Sequence, residues 1–325
     1  MRICLTGGTG FIGGPLVRRL LSDGAAIRAL ARPSPRADQL EASGVTVIRG
    51  DLTDAAAIDR AVESADVVFH IAAKVNGPGN RDDFFETNAR GTERVLRAAQ
   101  KQGARKVVYL SSISVYGLTR GGEPIDETTG FDPRPELRDF YAQSKIAADQ
   151  FAASFARGTG FPLTILRPGL IYGPGRPMPL GLLGFTVGET NVVFGTPRLR
   201  VPLNFTENLL DAMQLVAEQE TTGLREYIVV DDDDLKLGAY HAVLAKFQKK
   251  RTVYFPNWPL RLGVPMAEAV LRILRLDRNA GPMLQQVRRA MQDRRYVTRR
   301  LREETGWVPR VKLQDAVSQT LRAGS

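Results

Sequence analysis

The chain has 325 residues, enough to bury a large core in one big domain or two. Its composition, 43% hydrophobic and 25% charged, is that of a soluble globular protein, and no uncharged stretch reaches the length of a membrane span. A single cysteine, Cys4, excludes an internal disulfide, two histidines (His70 and His241) leave no zinc pattern to draw, and a net charge of +10 points to nucleic acid, an anionic membrane or anionic ligands.

Ile3 to Leu5 is an apolar run suited to a buried parallel strand, with Cys4 as a small core residue inside it. No leader is expected before a strand that starts so early, and a cytoplasmic, reducing location fits the lone cysteine. Thr6-Gly7-Gly8-Thr9-Gly10-Phe11-Ile12-Gly13 follows, and then a helical pattern from Pro15 to Leu21. Strand, glycine turn and helix stand in the order that a dinucleotide site requires. Gly7 makes the tight turn, Gly10 lets the backbone approach a pyrophosphate, and Gly13 lets helix and strand pack closely; the helix N–H groups then face the phosphates.

Ala25 to Ala31 is the second strand, ending at Arg32 before Pro33-Ser34-Pro35. Sites for the non-phosphorylated cofactor usually carry an acid at that place; here a guanidinium stands ready for a 2′-phosphate, with Arg28 or Arg36 as helpers. Val45 to Arg49 is the third strand, followed by Gly50-Asp51-Leu52. Asp51 can accept a hydrogen bond from an adenine amino group or cap the helix running to Val62; capping by Thr53 or Asp54 leaves it free. Val67-Val68-Phe69-His70-Ile71 is the fourth strand, running into Ala72-Ala73-Lys74, with His70 read as a packed residue. A helix from Phe84 to Gln100 contains Asn88, Gly91 and Thr92, and a fifth strand from Lys106 to Leu110 ends in Ser111-Ser112. Strands alternating with helices predict an α/β fold, a doubly wound parallel sheet with ligands at the carboxyl ends of its strands.

Three segments converge on that edge: Ser111 to Gly117, then Tyr141-Ala142-Gln143-Ser144-Lys145 opening a helix to about Phe155, then Arg167-Pro168-Gly169-Leu170-Ile171-Tyr172-Gly173-Pro174-Gly175 after a sixth strand at Leu163 to Leu166. Tyr141 and Lys145 are four apart and share a helix face. A lysine ammonium nearby favours the phenolate, so Tyr141 is expected to exchange a proton with a substrate oxygen that a strand-end serine positions.

Beyond Gly175 the signals weaken. Arg176 to Gly188 reads as a loop over the substrate, Asn208 to Gln219 as a helix, and Tyr227 to Val230 as a strand before Asp231-Asp232-Asp233-Asp234. That acidic run is read as a solvated loop rather than a metal site. Tyr254 to Leu276, interrupted by Arg261, Glu268, Arg272 and Arg275, packs in a core, lines an apolar pocket or touches a membrane surface. Arg288, Arg289, Arg294, Arg295, Arg299, Arg300 and Arg302 form the densest basic run; no aromatic residues alternate with them, so a solvated helix face is expected and a nucleic-acid partner is not.

Thr6 to Gly13, Asp51-Leu52, Asn88 to Thr92, Ser111 to Gly117, Tyr141 with Lys145, Arg167-Pro168-Gly169 and the closing Leu301 to Pro309 together resemble the extended short-chain dehydrogenase/reductases, in the epimerase/dehydratase and hydroxysteroid-dehydrogenase-like group, over nearly the whole chain. The resemblance implies a Rossmann domain over residues 1–175 and mainly a substrate lobe over 176–325, with a return to the first domain around 203–231. It implies Ser112, rather than Ser111 or Ser114, as the active-site hydroxyl beside catalytic Tyr141 and Lys145. The cofactor contacts that follow from motif and resemblance are Gly7, Gly10, Phe11, Ile12, Gly13, Arg32, Asp51, Leu52, Ala72, Ala73, Lys74, Asn88, Tyr141, Lys145 and Pro168, and the substrate contacts are Ser114, Gly169, Arg198 and Arg200. The expected activity is NADP-dependent interconversion of a ketone and a secondary alcohol, with NAD as the other cofactor. Two rivals are a nucleotide-sugar epimerase or dehydratase that retains its nicotinamide and a non-catalytic cofactor sensor, the latter disfavoured by the intact Ser112, Tyr141 and Lys145. The amide that holds a diphosphate in sugar-nucleotide relatives is replaced by Gly169 and Leu170, and Met178 to Phe185 is apolar, which favours an apolar ketone; Arg198 and Arg200 are the cations that would reverse this. Family members are often homodimers.

Overall fold

The computed structural model describes residues 1–75, 77–117, 123–176, 184–255, 266 and 292–323. The first half alternates as the hydrophobic pattern dictates: β1 (Arg2–Thr6), α1 (Gly13–Ser22), β2 (Ala26–Ala31), α2 (Pro35–Ala42), β3 (Thr46–Arg49), α3 (Ala55–Val62) and β4 (Val67–His70). Then come α4 (Arg81–Phe84), a π-helical turn (Phe85–Arg90), α5 (Gly91–Lys101), β5 (Lys106–Leu110), α6 (Phe140–Thr159) and β6 (Leu163–Pro168). The single helix expected from Phe84 thus starts with a short capped turn, where Asn80 and Asp83 form a reciprocal capping box, and widens to π geometry before α5.

Beyond β6 lie β7 (Leu170–Tyr172), β8 (Gly184–Val187), β9 (Thr190–Phe194), β10 (Leu203–Phe205), α7 (Thr206–Glu218), β11 (Leu224–Val229), α8 (Leu237–Ala245), β12 (Arg251–Phe255), α9 (Arg299–Thr305) and α10 (Leu313–Arg322). The main sheet has seven strands, all parallel, in the order β3-β2-β1-β4-β5-β6-β11. Chain direction across the sheet reverses between β1 and β4, which opens a crevice at the carboxyl ends there.

Alternation along the strands divides the core. Ile3 and Leu5 point to one face and pack with Leu16, Val17 and Leu20 of α1, Leu209, Leu210 and Met213 of α7, and Leu301 and Trp307. Cys4 points to the other and packs with Ile58 of α3, Leu96 of α5 and Ala152 of α6.

A second, smaller core gathers Tyr172, Val193, Leu203, Phe205, Leu237, Tyr240, Leu244 and Val317 around the β12-β9-β8 and β10-β7 pairings. None of these five strands is expected from the sequence, and β8 lies inside the stretch Arg176 to Gly188 that reads as a loop. Of the apolar stretch Tyr254 to Leu276, only Tyr254, Phe255 and Met266 are among the described residues; the Met178 to Leu183 segment and Arg288 and Arg289 lie outside them. No helix among the described residues is long and apolar enough to cross a membrane.

Candidate active site

A cleft of about 750 Å³ runs along the carboxyl edge of the sheet across the β1/β4 crevice. Its floor is the glycine turn. Gly7 has φ +84°, and a Cβ there would lie 2.8 Å from the Ala72 nitrogen; at Gly13 it would lie 2.1 Å from the Gly7 carbonyl oxygen. Neither position accepts a side chain, so the turn is drawn tightly against β4 and α1. No side chain caps α1 at Ile12; Gly14 N–H is bonded to the Gly10 carbonyl at 3.0 Å and Pro15 has no N–H, so of the first turn Gly13 N–H is the donor left to a ligand in the cleft.

At one end Arg32 is exposed and lines the cleft, and its guanidinium makes no hydrogen bond or ion pair with another described residue. Arg28 cannot assist it: its guanidinium donates to the carbonyls of Arg60 and Glu63 at the end of α3, at 2.9 and 2.7 Å. Asp51 also lines the cleft, with one carboxylate oxygen engaged. Its Oδ1 accepts from the Thr53 backbone N–H at 2.8 Å and the Thr53 hydroxyl at 2.6 Å, while Asp54 caps α3 by accepting from Ala57 N–H. These bonds from Thr53, and the nearby charge of Arg32, hold the Asp51 carboxyl below its ordinary value.

At the other end stand Ser112, Tyr141 and Lys145, all lining the cleft. The Ser112 hydroxyl accepts from Ser114 N–H at 3.1 Å and lies beside the Tyr141 phenol. Burial raises the Tyr141 pKa; hydrogen bonding with Ser112 and the charge of Arg176 pull it back only in part. The expected pull of Lys145 on that phenol is absent. The ammonium turns instead to the Tyr109 hydroxyl at 3.0 Å and the Leu110 carbonyl at 2.8 Å, and lies 4.5 Å from the centre of the Tyr109 ring. Burial drives the Lys145 pKa down to about 7, opposed by the Asp149 carboxylate one helical turn on. Asp149 in turn is held by Ser111 Oγ at 2.6 Å and by Arg167, whose Nε and Nη2 reach it at 2.9 and 2.7 Å. Arg167 is therefore a buried brace behind the site; Nη2 also binds Glu226 at 2.6 Å and Nη1 the Tyr116 hydroxyl at 2.9 Å.

Gly7, Gly10, Phe11, Ile12, Gly13, Leu52, Ala72, Ala73, Lys74, Pro168 and Gly169 all line the cleft. Four expected site residues do not. Asn88 is buried, accepting from Lys74 N–H at 2.7 Å and donating to the Lys74 carbonyl and Ser144 Oγ at 2.9 Å, so it pins the loop after β4 to α6. Ser114 takes part through its backbone, and its own hydroxyl is buried without a partner among the described residues. Arg198 is exposed away from the cleft. Arg200 is tied to Asp234 at 2.7 Å and to Asp293.

His70 is packed as read, bonded through its two ring nitrogens to Thr6 at 2.8 Å and Thr92 at 2.9 Å, and burial lowers its pKa to about 3, which keeps it neutral. The acidic run is more structural than its composition suggested. Asp231 accepts from Phe205 N–H and Asn204 Nδ2 at 2.7 and 2.8 Å, Asp233 binds Thr298 and Arg302, and Asp234 binds Arg200 and Lys236. Sequence reasoning missed Arg176, which lines the cleft with its guanidinium 5.5 Å from the centre of the Phe11 ring. The available signal was its place directly after a Gly-Pro-Gly turn at the end of the third converging segment.

A parallel sheet with this crevice, a glycine turn at its floor and Ser, Tyr and Lys at its rim defines a nicotinamide-dependent enzyme of the extended short-chain dehydrogenase/reductase type. Residues 3–230 match the model of the NAD dependent epimerase/dehydratase family, and the chain belongs to it. It is 30% identical over 347 residues to a 3 beta-hydroxysteroid dehydrogenase/Delta 5-->4-isomerase of Mycobacterium tuberculosis, covering 98% of this chain and 89% of that protein. It is 34% identical over 246 residues to a 2-alkyl-3-oxoalkanoate reductase of Shewanella oneidensis, covering 72% of this chain and 62% of that protein. The fold is shared with a Thermus thermophilus UDP-glucose 4-epimerase solved with NAD, at a TM-score of 0.71 and 22% identity over 99% of this chain and 98% of that one.

Proposed function

We propose that the chain catalyses NADP-dependent, reversible reduction of an apolar ketone to a secondary alcohol. The cradle fits the cofactor: the two glycines that tolerate no Cβ, the uncapped start of α1, and an unpaired Arg32 where a 2′-phosphate would lie. Bound there, a nicotinamide supplies or takes up the hydride. Tyr141 donates its phenolic proton to the substrate oxygen in reduction and accepts it in oxidation, and Ser112 orients that oxygen. Lys145 holds the cofactor ribose and supplies positive charge at the phenol as the site fills.

The observation that carries the substrate class is the engagement of Arg200. A nucleotide diphosphate needs several cationic donors, and this candidate is already spent on Asp234 and Asp293. The reductase and hydroxysteroid dehydrogenase names of the two relatives agree with a ketone–alcohol pair.

The test is a screen of NADPH oxidation against cyclic and aromatic ketones, run beside UDP- and dTDP-sugars. Turnover of a ketone with weak or absent sugar-nucleotide binding is expected; release of an epimerised or dehydrated sugar nucleotide would establish the rival. For the cofactor, calorimetry should give tighter binding of NADPH than of NADH, and Arg32→Ala should weaken NADPH alone by about 1.5–3 kcal/mol. Equal affinities in the parent protein would contradict the 2′-phosphate role.

A further inference from the structure

The turn after β7 carries an arginine whose guanidinium has no hydrogen-bond partner among the described residues. Gly173 and Arg176 close it by reciprocal backbone hydrogen bonds of 3.0 and 2.9 Å. The turn sits directly on the start of α7, where a Cβ at Gly173 would lie 2.5 Å from Thr206 Oγ1. Seated this way, the turn has little freedom to shift, and it sends the Arg176 side chain across the cleft to the opposite wall. There the guanidinium stands 5.5 Å from the centre of the Phe11 ring, and Phe11 is part of the glycine turn. Arg176 is exposed, and its guanidinium forms no hydrogen bond or ion pair with another described residue. A guanidinium held beside an uncapped helix start, with all its donors open, is a ready partner for a phosphate.

We propose that Arg176 is a cofactor-binding residue: its guanidinium takes the diphosphate of the dinucleotide from the wall opposite α1. This rests on the nicotinamide-dinucleotide reading above. The glycine turn and the Gly13 N–H at the start of α1 would hold the diphosphate from one side and Arg176 from the other, while the 2′-phosphate falls to Arg32 at the far end. The position over Phe11 selects the cofactor diphosphate over an anionic group on the substrate, because Phe11 follows directly on Gly10, where the backbone lets a diphosphate come close. The same charge acts on Tyr141, whose phenol it draws downward against burial. Arg176 therefore links cofactor binding to the proton-transfer group.

Three ligands separate the possibilities in calorimetry with the full chain: NADPH, ADP-ribose (a diphosphate with neither nicotinamide nor 2′-phosphate) and adenosine 2′-phosphate (no diphosphate). Arg176→Met should bind ADP-ribose and NADPH about tenfold more weakly than the parent and adenosine 2′-phosphate equally well. Arg176→Lys, which keeps the charge, should recover most of the loss. In alcohol oxidation the limb of the pH profile set by Tyr141 should move to higher pH in Arg176→Met, because a charge favouring the phenolate is gone. Unchanged ADP-ribose affinity in Arg176→Met, with a parent that binds NADPH, overturns this inference and leaves the proposed function standing. So does a variant whose only defect is a raised KM for the ketone. A parent that binds neither NADPH nor ADP-ribose brings down both.

Discussion

Tyr141 and Lys145 share a face of α6, yet the two side chains serve different neighbours. The phenol answers to Ser112 and Arg176, and the ammonium to Tyr109 and Leu110. A buried ammonium whose pKa has fallen to about 7 is poised to change charge when an anion arrives beside it. The sign follows directly. An anionic dinucleotide favours the protonated form, so the Lys145 pKa rises on binding and a proton is taken up. Affinity should then fall as pH climbs from about 7 to about 9. Calorimetry at about pH 8 in buffers of different ionisation enthalpy should show net uptake that Lys145→Met abolishes; proton release, or uptake unchanged in Lys145→Met, would refute it. Tyr141→Phe tests the partner separately. It should cut turnover by roughly 10²–10⁴-fold while dinucleotide affinity stays within a few-fold, and near-normal turnover in the purified variant would remove Tyr141 from the proton role. Residue type and spacing made these groups legible. They could not reveal that Arg200 is spent, because its partners Asp234 and Asp293 lie 34 and 93 residues away.

The elements around the glycine turn were legible for the opposite reason. Strand, turn and helix are contiguous, and each residue type there answers a local steric demand, so β1, β5 and α1 fall within a residue or two of their expected bounds. The run Asp231 to Asp234 shows where locality fails: four acids in sequence read as a solvated loop, but the first is drawn inward to hold the end of β10. Burial lifts the Asp231 pKa to about 6. The folded state thus holds this proton more tightly than the unfolded chain, and its contribution to stability is present at low pH and is lost as pH rises from about 4 to about 6. Asp231→Asn should remove that loss. The neighbouring Asn204 has a buried Oδ1 without a partner among the described residues, so a flip of its amide would let it accept from the new Asn side chain. Between pH 4.5 and pH 7.5 the parent should lose about 2 kcal/mol relative to Asp231→Asn in urea unfolding, and a difference that stays flat with pH would rule out a buried, titrating Asp231.

At the scale of the whole molecule the chain is interlaced. Residues beyond 175 return to the main sheet twice, first as α7 and β11 and again as the segment that carries Leu301 and Trp307. Hydrophobic periodicity marks α7 as amphipathic but does not say which core it serves, and a Leu-Arg-Glu-Glu-Thr-Gly-Trp run near the C-terminus says still less; only the packing shows that both serve the dinucleotide half. Trp307 is nearly fully buried against α7, its Nε1 donating to the Asn208 carbonyl at 3.1 Å. The Asn208 side chain clasps Val311 by accepting from its N–H and donating to its carbonyl, at 2.9 and 3.0 Å. The C-terminal segment is thereby docked on a helix that packs against β5 and β6 and shares one core with Ile3 and Leu5 of β1. Trp307→Ala should cost about 3–5 kcal/mol, with Trp307→Phe losing less because the ring remains and only the N–H is removed. Because Trp307 shares its core with the strand beneath the glycine turn, the loss should appear equally in the unfolding midpoint read by circular dichroism and in the denaturant concentration at which dinucleotide binding disappears. A Trp307→Ala protein that melts early by circular dichroism but keeps dinucleotide binding to the parent's midpoint would mean that the cofactor half stands without its C-terminal clasp.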